Sequence, residues 1–321
     1  MKPLDGLERP CEGRRAPRGP DRAAGGAQAG RRRLALLLLW LLPAIWSSNY
    51  LIARSAGPHV PPHVLAFGRW GIVCALLLAF NARAIAAHPR RLLAEWRQSL
   101  ALGALGMWIC GAWVYIAGHT TSTTNLSLIY AAAPVGIALA GQRLLGERFG
   151  GAQRLAMLLS LAGVVFVVLH GEPASLLAVR FVAGDLWILA ATLSWVGYSV
   201  LQQYWKTKLS ATERLCSMAA GGLLLMLPFV AWELATMARP LDAAAWQLIV
   251  LAALLPGLLS YLCYDFLQRE LGVARAGLVL YLAPIYAAAL AWWLLGEPPQ
   301  WYHGVGALLI LPSIHIATRR A

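Results

Sequence analysis

Polar and aromatic residues at helical spacing inside apolar stretches are the first candidates for chemistry in this sequence. Trp46 and Asn49 are three residues apart, and Tyr198 and Gln202 follow Trp195 at positions i+3 and i+7. This spacing places each set on one face of a helix. A buried amide is costly in an apolar environment unless it faces a polar partner or water. The two sets therefore indicate either contacts with a bound solute or hydrogen bonds between helices.

Arg69 is the basic residue that lies deepest within an apolar stretch. Its guanidinium could bind a solute carboxylate in a bidentate manner, pair with an acidic residue, or extend towards a lipid surface. We favour an orientation towards the protein interior. With polar and aromatic residues of other stretches it completes a predicted solute-binding set, which is Trp46, Asn49, Arg69, Asn125, Tyr130, Trp195, Tyr198, Gln202 and Tyr261.

Asp265 is the acidic residue best placed to transfer a proton. It follows Tyr261 and Tyr264 at helical spacing, towards the end of an apolar stretch. Carboxylates within such stretches are typical of proton relays in membrane proteins. Arg269 lies one helical turn further on, so an ion pair between Asp265 and Arg269 is an equally good interpretation.

Patterns that would indicate an enzyme are missing from the sequence. There is no phosphate-binding loop, no serine nucleophile elbow, and no group of His, Cys and carboxylate residues with metal-ligand spacing. The cysteines are scattered without a metal or disulfide pattern, at Cys11, Cys74, Cys110, Cys216 and Cys263. An enzyme acting on lipid would need a catalytic group near one membrane surface. We therefore expect no catalytic residue, no metal and no cofactor.

Composition indicates that these residues are positioned by membrane-spanning helices. Of 321 residues, 59% are hydrophobic and 13% are charged, whereas soluble domains have about 25% charged residues. The apolar residues form about ten stretches, each of the roughly 20 residues that a helix needs to cross a bilayer. We predict an all-α, polytopic membrane protein with ten transmembrane helices, at 34–54, 62–80, 99–117, 122–142, 152–170, 184–204, 215–236, 245–267, 274–295 and 301–318. The loops between them are too short for a folded catalytic domain.

The net charge of +13 is distributed as an orientation signal. If the basic tail at 1–33 is cytoplasmic, the outer loops contain only Arg54, Arg180 and Arg239 among the Lys and Arg residues. This bias is expected for a bacterial-type inner (plasma) membrane, with both termini cytoplasmic. We therefore expect no nucleic-acid partner. The tail itself is rich in Gly, Ala, Pro and Arg and is predicted to be disordered.

An internal repeat divides the chain into two halves. The sequence Leu-Leu-Gly-Glu at 144–147 follows Pro134, and the same sequence at 294–297 follows Pro284, 150 residues later. Two repeats of five helices, at 34–170 and 180–318, would enter the membrane in opposite senses because five is odd. Inverted repeats of this kind are typical of alternating-access carriers. The alternative is a non-transporting membrane receptor or scaffold that uses the same bundle.

The repeated motif has a predicted structural role. Each glycine suits a helix end in the left-handed conformation, and each glutamate suits the positive end of the helix that follows. Each proline lies within a helix, where it removes a hydrogen bond and causes a bend. The predicted structural hinge residues are Pro134, Gly146, Glu147, Pro284, Gly296 and Glu297.

These motifs resemble those of the EamA type of the drug/metabolite transporter superfamily. The resemblance includes the segment 123–130, which precedes Pro134, and the segment 271–284, which ends at Pro284. It implies ten helices, an inner-membrane location and the transport of small organic solutes, often outward. We accordingly expect a secondary transporter that exports a small-molecule substrate, such as an amino acid or an amphiphilic compound. The lipid bilayer and a second copy of the chain, in a homodimer, are the other expected partners. The last helix departs from the repeat, with Pro312 and Ser313 where the first copy has Ala162 and Gly163.

Overall fold

Ten long helical segments form the part of the protein that the structure describes. The computed structural model describes residues 19–57, 59–237 and 240–319, and every regular element within them is helical. The segments are α1 (Gly19–Ala56), α2 (Pro62–Ala87), α3 (Trp96–Gly103, Ala104–Ile109 and Cys110–Thr120), α4 (Thr123–Ala131 and Ala133–Leu145), α5 (Gly151–Val168), α6 (Asp185–Tyr204), α7 (Ala211–Thr236), α8 (Ala243–Ala252, Ala253–Leu259 and Ser260–Leu271), α9 (Val273–Gly277, Leu278–Leu282 and Ala283–Leu295) and α10 (Trp301–Arg319). Short helices at Pro89–Ala94 and Pro173–Ala178 lie in two of the connections.

Seven helical segments of the described chain are long and apolar enough to cross a membrane, namely α2, α3, α4, α5, α7, α8 and α9. A shorter apolar helix, Trp301–Ala317, lies within α10. The segment α6 is less apolar because it carries polar side chains that are buried against other helices, including Thr192, Ser199 and Gln202. The protein is therefore an all-helical multi-pass membrane protein.

The first helix begins earlier than predicted. It starts at Gly19, so the prediction of disorder for 1–33 is wrong for residues 19–33, while residues 1–18 lie outside the described part of the chain. A contact with another helix stabilises part of this extension. The guanidinium of Arg31 forms an ion pair with Glu270 of α8, with an N–O distance of 2.6 Å.

The repeated proline and glycine positions have matching backbone geometry in the two halves. Helix α4 is interrupted at Ala132, and α9 passes from a 3-10 segment to an α-helix at Ala283. Each interruption precedes the proline of the motif, because proline cannot donate the hydrogen bond that the preceding turn needs. Gly146 and Gly296 end the two helices with φ angles of 69° and 70°. The predicted left-handed helix ends are thus present, and bending at the two prolines stays a prediction.

A π-helical segment lies in the third helix of each half, and sequence analysis did not predict either. These segments are Ala104–Ile109 in α3 and Ala253–Leu259 in α8. Wider helical turns of this type are frequent at functional sites, because they alter the direction of side chains and backbone groups. The carbonyl of Gly106 accepts a hydrogen bond from the hydroxyl of Tyr261 at 2.7 Å. The carbonyl of Pro256 accepts one from Nη2 of Arg69 at 2.8 Å.

Small residues allow the helices to approach closely, as is usual in membrane bundles. A Cβ on Gly103 of α3 would lie 2.5 Å from the backbone nitrogen of Gly222 in α7. Where α5 packs against α10, a Cβ on Gly163 would lie 2.8 Å from Cγ1 of Ile310. Helix α10 continues through Pro312 without interruption, although the first repeat has no proline at that position.

Candidate solute-binding cavity

A cavity of about 400 Å³ lies between eight of the helical segments, α1 to α6, α8 and α9. This volume is within the range of roughly 300–1,000 Å³ that is usual for small-molecule sites. Most of the lining is apolar or aromatic, with a few polar groups, which is also usual for such sites. Both halves of the chain contribute residues to it.

Most of the predicted solute-binding residues line this cavity. They come from five different helices and are Trp46, Asn49, Arg69, Tyr130, Trp195 and Tyr261. The two motif prolines, Pro134 and Pro284, also line it, so the helix interruptions lie in the cavity wall. The geometry brings these residues together, and their contact with a solute stays a prediction.

Asn125 does not line the central cavity, contrary to the prediction. It lines a second cavity, and its Nδ2 donates to Oδ2 of Asp185 at 2.8 Å and to the carbonyl of Arg180 at 2.9 Å. Asp185 also accepts hydrogen bonds from the hydroxyl of Thr121 and from the backbone N–H of Val182. Asn125 therefore connects α4 to the beginning of α6, and its side-chain nitrogen donates hydrogen bonds to both partners.

Tyr198 and Gln202 also lie outside the cavity, one and two turns beyond Trp195 along α6. Tyr198 is buried beneath the ring of Trp195, at a centroid distance of 5.3 Å. Nε2 of Gln202 donates to Oε1 of Gln268 at 2.7 Å. The predicted shared helix face is present, but the three side chains occupy different depths. The prediction that Tyr198 and Gln202 line the cavity is therefore wrong.

An aromatic cluster, which we define as Trp46, Trp195, Tyr198, Tyr261 and Tyr264, reaches the cavity wall through Trp46, Trp195 and Tyr261. Trp195 is its centre, with centroid distances of 5.5 Å to Trp46, 5.8 Å to Tyr261 and 5.3 Å to Tyr264. Stacked and edge-to-face pairs of this kind stabilise a packed wall beyond the area that they bury. Its close packing also requires Gly106, because a Cβ there would lie 2.5 Å from Cδ2 of Tyr198.

Beyond the aromatic cluster lies an amide cluster, defined as Gln202, Gln203, Asp265 and Gln268. Nε2 of Gln203 donates to Oδ1 of Asp265 at 3.3 Å and to Oε1 of Gln268 at 3.3 Å. Asp265 also forms an ion pair with Arg269 at 2.9 Å, the alternative that the sequence left open. Asp265 does not line the cavity, and a role in proton transfer stays a prediction.

Arg69 is 6% exposed and lines the cavity, which confirms the orientation towards the interior. Its guanidinium lies 5.0 Å from the ring centroid of Trp70 and 6.0 Å from that of Tyr261. Cations at these distances are attracted to the faces of aromatic rings. Nη2 of Arg69 donates a hydrogen bond to the carbonyl of Pro256. Its Nε is buried and has no acceptor in the described part of the chain. No carboxylate of the described residues forms an ion pair with it.

Sequence analysis missed two polar features, one in the cavity and one between α2 and α7. The hydroxyl of Tyr115, which lines the cavity, donates to Oδ1 of Asn49 at 3.3 Å. Glu233 of α7 is buried and accepts hydrogen bonds from Nδ1 of His63 at 2.7 Å and from the backbone N–H of Val64 at 2.9 Å. A glutamate within an apolar stretch was the signal that could have identified this second group.

Glu147 binds a helix N-terminus, but not that of the helix that follows it. Its carboxylate accepts hydrogen bonds from the backbone N–H groups of Val273 at 2.7 Å and Ala274 at 3.1 Å, at the beginning of α9. The prediction named the helix adjacent in sequence and is wrong in that respect, because α9 of the other half lies closer in space. A Cβ on Gly272 would lie 2.7 Å from the carboxylate of Glu147. For Glu297 the predicted role stays a prediction.

The protein is a bundle of long apolar helices around a cavity of solute size. It therefore belongs to the class of helical membrane proteins that can hold a solute between their helices. Comparison with known families identifies the group within that class. A family model described as the EamA-like transporter family matches residues 33–169 and again residues 182–319. The chain therefore belongs to the EamA-like transporter family, within the drug/metabolite transporter superfamily.

Related proteins are similar over nearly the full chain. An uncharacterised transporter of Archaeoglobus fulgidus is 24% identical, with 88% of this chain and 97% of the relative covered. A probable terminal-alkyne amino-acid exporter of Streptantibioticus cattleyicolor is 26% identical, over 87% and 95% of the two chains. The uncharacterised inner membrane transporter YedA of Escherichia coli K12 is 24% identical, over 81% and 82% of the two chains. A crystal structure with 21% identity and a TM-score of 0.71, covering 88% and 97%, has the same fold.

Proposed function

We propose that this protein is a secondary transporter that exports a small organic metabolite, such as an amino acid or an amphiphilic compound, by alternating access. The observation that carries this proposal is a cavity of solute size to which both halves of the chain contribute residues. Family membership supports transport, and the relative described as a probable amino-acid exporter supports an outward direction and this class of solute. A non-transporting receptor or scaffold is not favoured, because the relatives are described as transporters.

The topology in this proposal is ten transmembrane helices in two inverted repeats, with both termini cytoplasmic. The matched helix interruptions before Pro134 and Pro284 and the matched π-helical segments of α3 and α8 support a repeat of five helices. The excess of Lys and Arg on one side supports the orientation. In this orientation α6 and α8 run from the outer surface to the cytoplasm. The cavity then lies towards the outside and the amide cluster towards the cytoplasm.

In an alternating-access cycle, the cavity, the aromatic cluster and the amide cluster have different roles. The aromatic and amide clusters close the cytoplasmic end while the cavity accepts or releases solute on the outer side. Opening the cytoplasmic end requires α6 and α8 to separate, which breaks the hydrogen bond between Gln202 and Gln268. The interruptions before the two prolines are the points at which α4 and α9 bend, because fewer backbone hydrogen bonds hold the helix there.

A solute must first be found before transport can be measured. An untargeted comparison of metabolites outside cells, with and without the protein, identifies candidates. Flux of the verified solute into proteoliposomes then tests the cavity. We expect Asn49→Ala and Trp195→Phe each to lower the rate about tenfold, since both side chains line it. Trp232→Phe is the matched control, because Trp232 is 68% exposed on α7.

Two outcomes would contradict the proposal. If Asn49→Ala and Trp195→Phe transport the verified solute at the rate of the unchanged protein, the cavity is not the solute site. If the purified protein binds a solute but produces no flux in sealed liposomes, the receptor alternative is correct instead.

A further inference from the structure

The charge balance of the cavity is unusual for a buried site. Arg69 is the one charged side chain among its lining residues in the described chain, and no Asp or Glu lines it. A guanidinium remains charged in proteins, and burial of a charge is costly unless it is paired. Cation–π contacts with Trp70 and Tyr261 and one hydrogen bond to Pro256 offset part of this cost. The positive charge itself has no counterion among the residues that the structure describes.

The surroundings of Arg69 indicate which counterion would fit. A carboxylate matches the planar geometry of a guanidinium, and both of its oxygens can accept hydrogen bonds. Tyr115, Tyr130 and Ser127 also line the cavity and offer hydroxyl groups. The rest of the lining is apolar or aromatic, including Trp46 and Trp195, which suits an apolar body attached to the carboxylate.

A solute ammonium group has much weaker partners in this cavity. In the described lining its available acceptors are neutral, such as the amide oxygen of Asn49, which already accepts from Tyr115. The charge of Arg69 would also repel a cation, and repulsion is strong where water is excluded. An ammonium group therefore contributes little, even when a carboxylate is present on the same solute.

We propose that Arg69 makes the cavity selective for monocarboxylates with an aromatic or apolar body, for which a carboxylate is required and an ammonium group is not. This inference rests on the proposed function, because it names the solute class of the same cavity. It narrows that function by excluding cationic amphiphiles and by making amino acids acceptable only through their carboxylate.

Three ligands that share the same aromatic body separate the requirement for a carboxylate from that for an ammonium group. They are 3-phenylpropanoate, which has only the carboxylate, phenylalanine, which has both groups, and phenylalanine amide, which has only the ammonium. Binding to the purified full-length protein is measured by isothermal titration calorimetry. We expect both of the first two to bind at millimolar concentration or below, with 3-phenylpropanoate at least as tight as phenylalanine because Arg69 repels the ammonium group. The amide should bind about 10- to 100-fold more weakly, the usual effect of losing a hydrogen bond to a charged group.

Substitution of Arg69 tests whether this preference originates there. Arg69→Gln should remove the difference between 3-phenylpropanoate and phenylalanine amide, and Arg69→Lys should retain part of it because it keeps the charge but not the bidentate geometry. Arg180→Gln is the matched control, since Arg180 is an exposed arginine that lines the second cavity. It should leave all three affinities unchanged.

Thermal stability without ligand distinguishes binding from a structural role. An arginine kept for a ligand costs stability when the ligand is absent, so Arg69→Gln should raise the melting temperature while it removes stabilisation by 3-phenylpropanoate. If Arg69 instead only joins α2 to Pro256 of α8, the same substitution should lower the melting temperature.

The inference is overturned if phenylalanine amide binds as tightly as 3-phenylpropanoate, if none of the three ligands binds, or if Arg69→Gln leaves the preference intact. These results differ from failure of the proposed function. Flux of a verified solute that depends on Asn49 but is unchanged in Arg69→Gln would support transport and exclude the carboxylate role. Binding of 3-phenylpropanoate through Arg69 without flux in liposomes would support the carboxylate role and exclude transport.

Discussion

The cavity and the amide cluster are adjacent regions between α6 and α8. They differ in whether their charged side chains form ion pairs. The amide cluster pairs its charges, with Asp265 bonded to Arg269, and it connects α6 to α8 through Gln202 and Gln268. In the described part of the chain, the charge of Arg69 in the cavity has no counterion. A buried charge is costly unless it is paired, so this charge marks the cavity as the region adapted for a ligand. In the proposed function, the amide cluster closes the cytoplasmic end.

The largest effect is expected where the two regions meet, at Trp195. Trp195→Ala would remove the centre of the aromatic cluster and join the cavity to the amide cluster. Truncation of a buried aromatic residue costs about 3–5 kcal/mol, so the melting temperature in detergent should fall strongly. Trp232→Ala is the control, because that side chain is mostly exposed on α7. Equal melting temperatures for the two variants would show that the aromatic cluster does not stabilise the fold.

A smaller effect is expected within the amide cluster. Gln268→Leu leaves Nε2 of Gln202 without its closest acceptor and Ser199 without the donor to its carbonyl. An unsatisfied buried group costs about 1–3 kcal/mol. The double variant Gln202→Leu with Gln268→Leu should recover part of the loss, because neither polar group then remains alone. Chemical or thermal unfolding of the single and double variants measures this coupling, and additive losses would contradict it.

The same two regions show what sequence can predict. Apolar length predicted most of the helices, and the prolines and glycines of the repeated motif predicted where α4 and α9 are interrupted and where they end, because these residues act locally. The spacing of Trp195, Tyr198 and Gln202 predicted their common face correctly. Seven residues span about 10 Å along a helix, however, so side chains on one face belong to different layers of the bundle.

Contacts between distant segments could not be predicted in the same way. The partner of Glu147 is the beginning of α9, and the acceptor for Arg69 is a carbonyl in the π-helical segment of α8. Neither position carries a local sequence signal, because both depend on how the helices pack. Asn125 was assigned to the cavity from its residue type alone, whereas Asp185 and Arg180 occupy its amide in the structure.

Asp265 provides a test of modest size. Its ion pair with Arg269 is partly exposed, since the side chains are 14% and 38% accessible. Pairs of this kind contribute about 0–1 kcal/mol, so Asp265→Asn should change stability by no more than that. Since Asp265 lies outside the cavity and is paired, we expect the variant to transport solute with an unchanged dependence on pH. Loss of that dependence in Asp265→Asn alone would instead identify Asp265 as the proton relay.

The smallest effect is expected at Asp242, before the first residue of α8 at the cavity end. Its carboxylate accepts a hydrogen bond from the backbone N–H of Ala245, and Oδ2 lies 2.9 Å from Nδ1 of His59. These two interactions lower the pKa of Asp242 below its ordinary value. A lowered pKa in the folded state stabilises the protein above the pKa of the unfolded chain, and this contribution disappears as the pH falls through the folded value. Asp242→Asn keeps the helix cap, because asparagine is an equally good capping residue. Its unfolding below about pH 4 should therefore depend slightly less on pH than that of the unchanged protein, in thermal scans at a series of pH values. If the Asp242→Asn variant loses stability on acidification as steeply as the unchanged protein, the contacts of Asp242 with Ala245 and His59 do not contribute to stability. The beginning of α8 would then differ from the amide cluster, where the charges are paired.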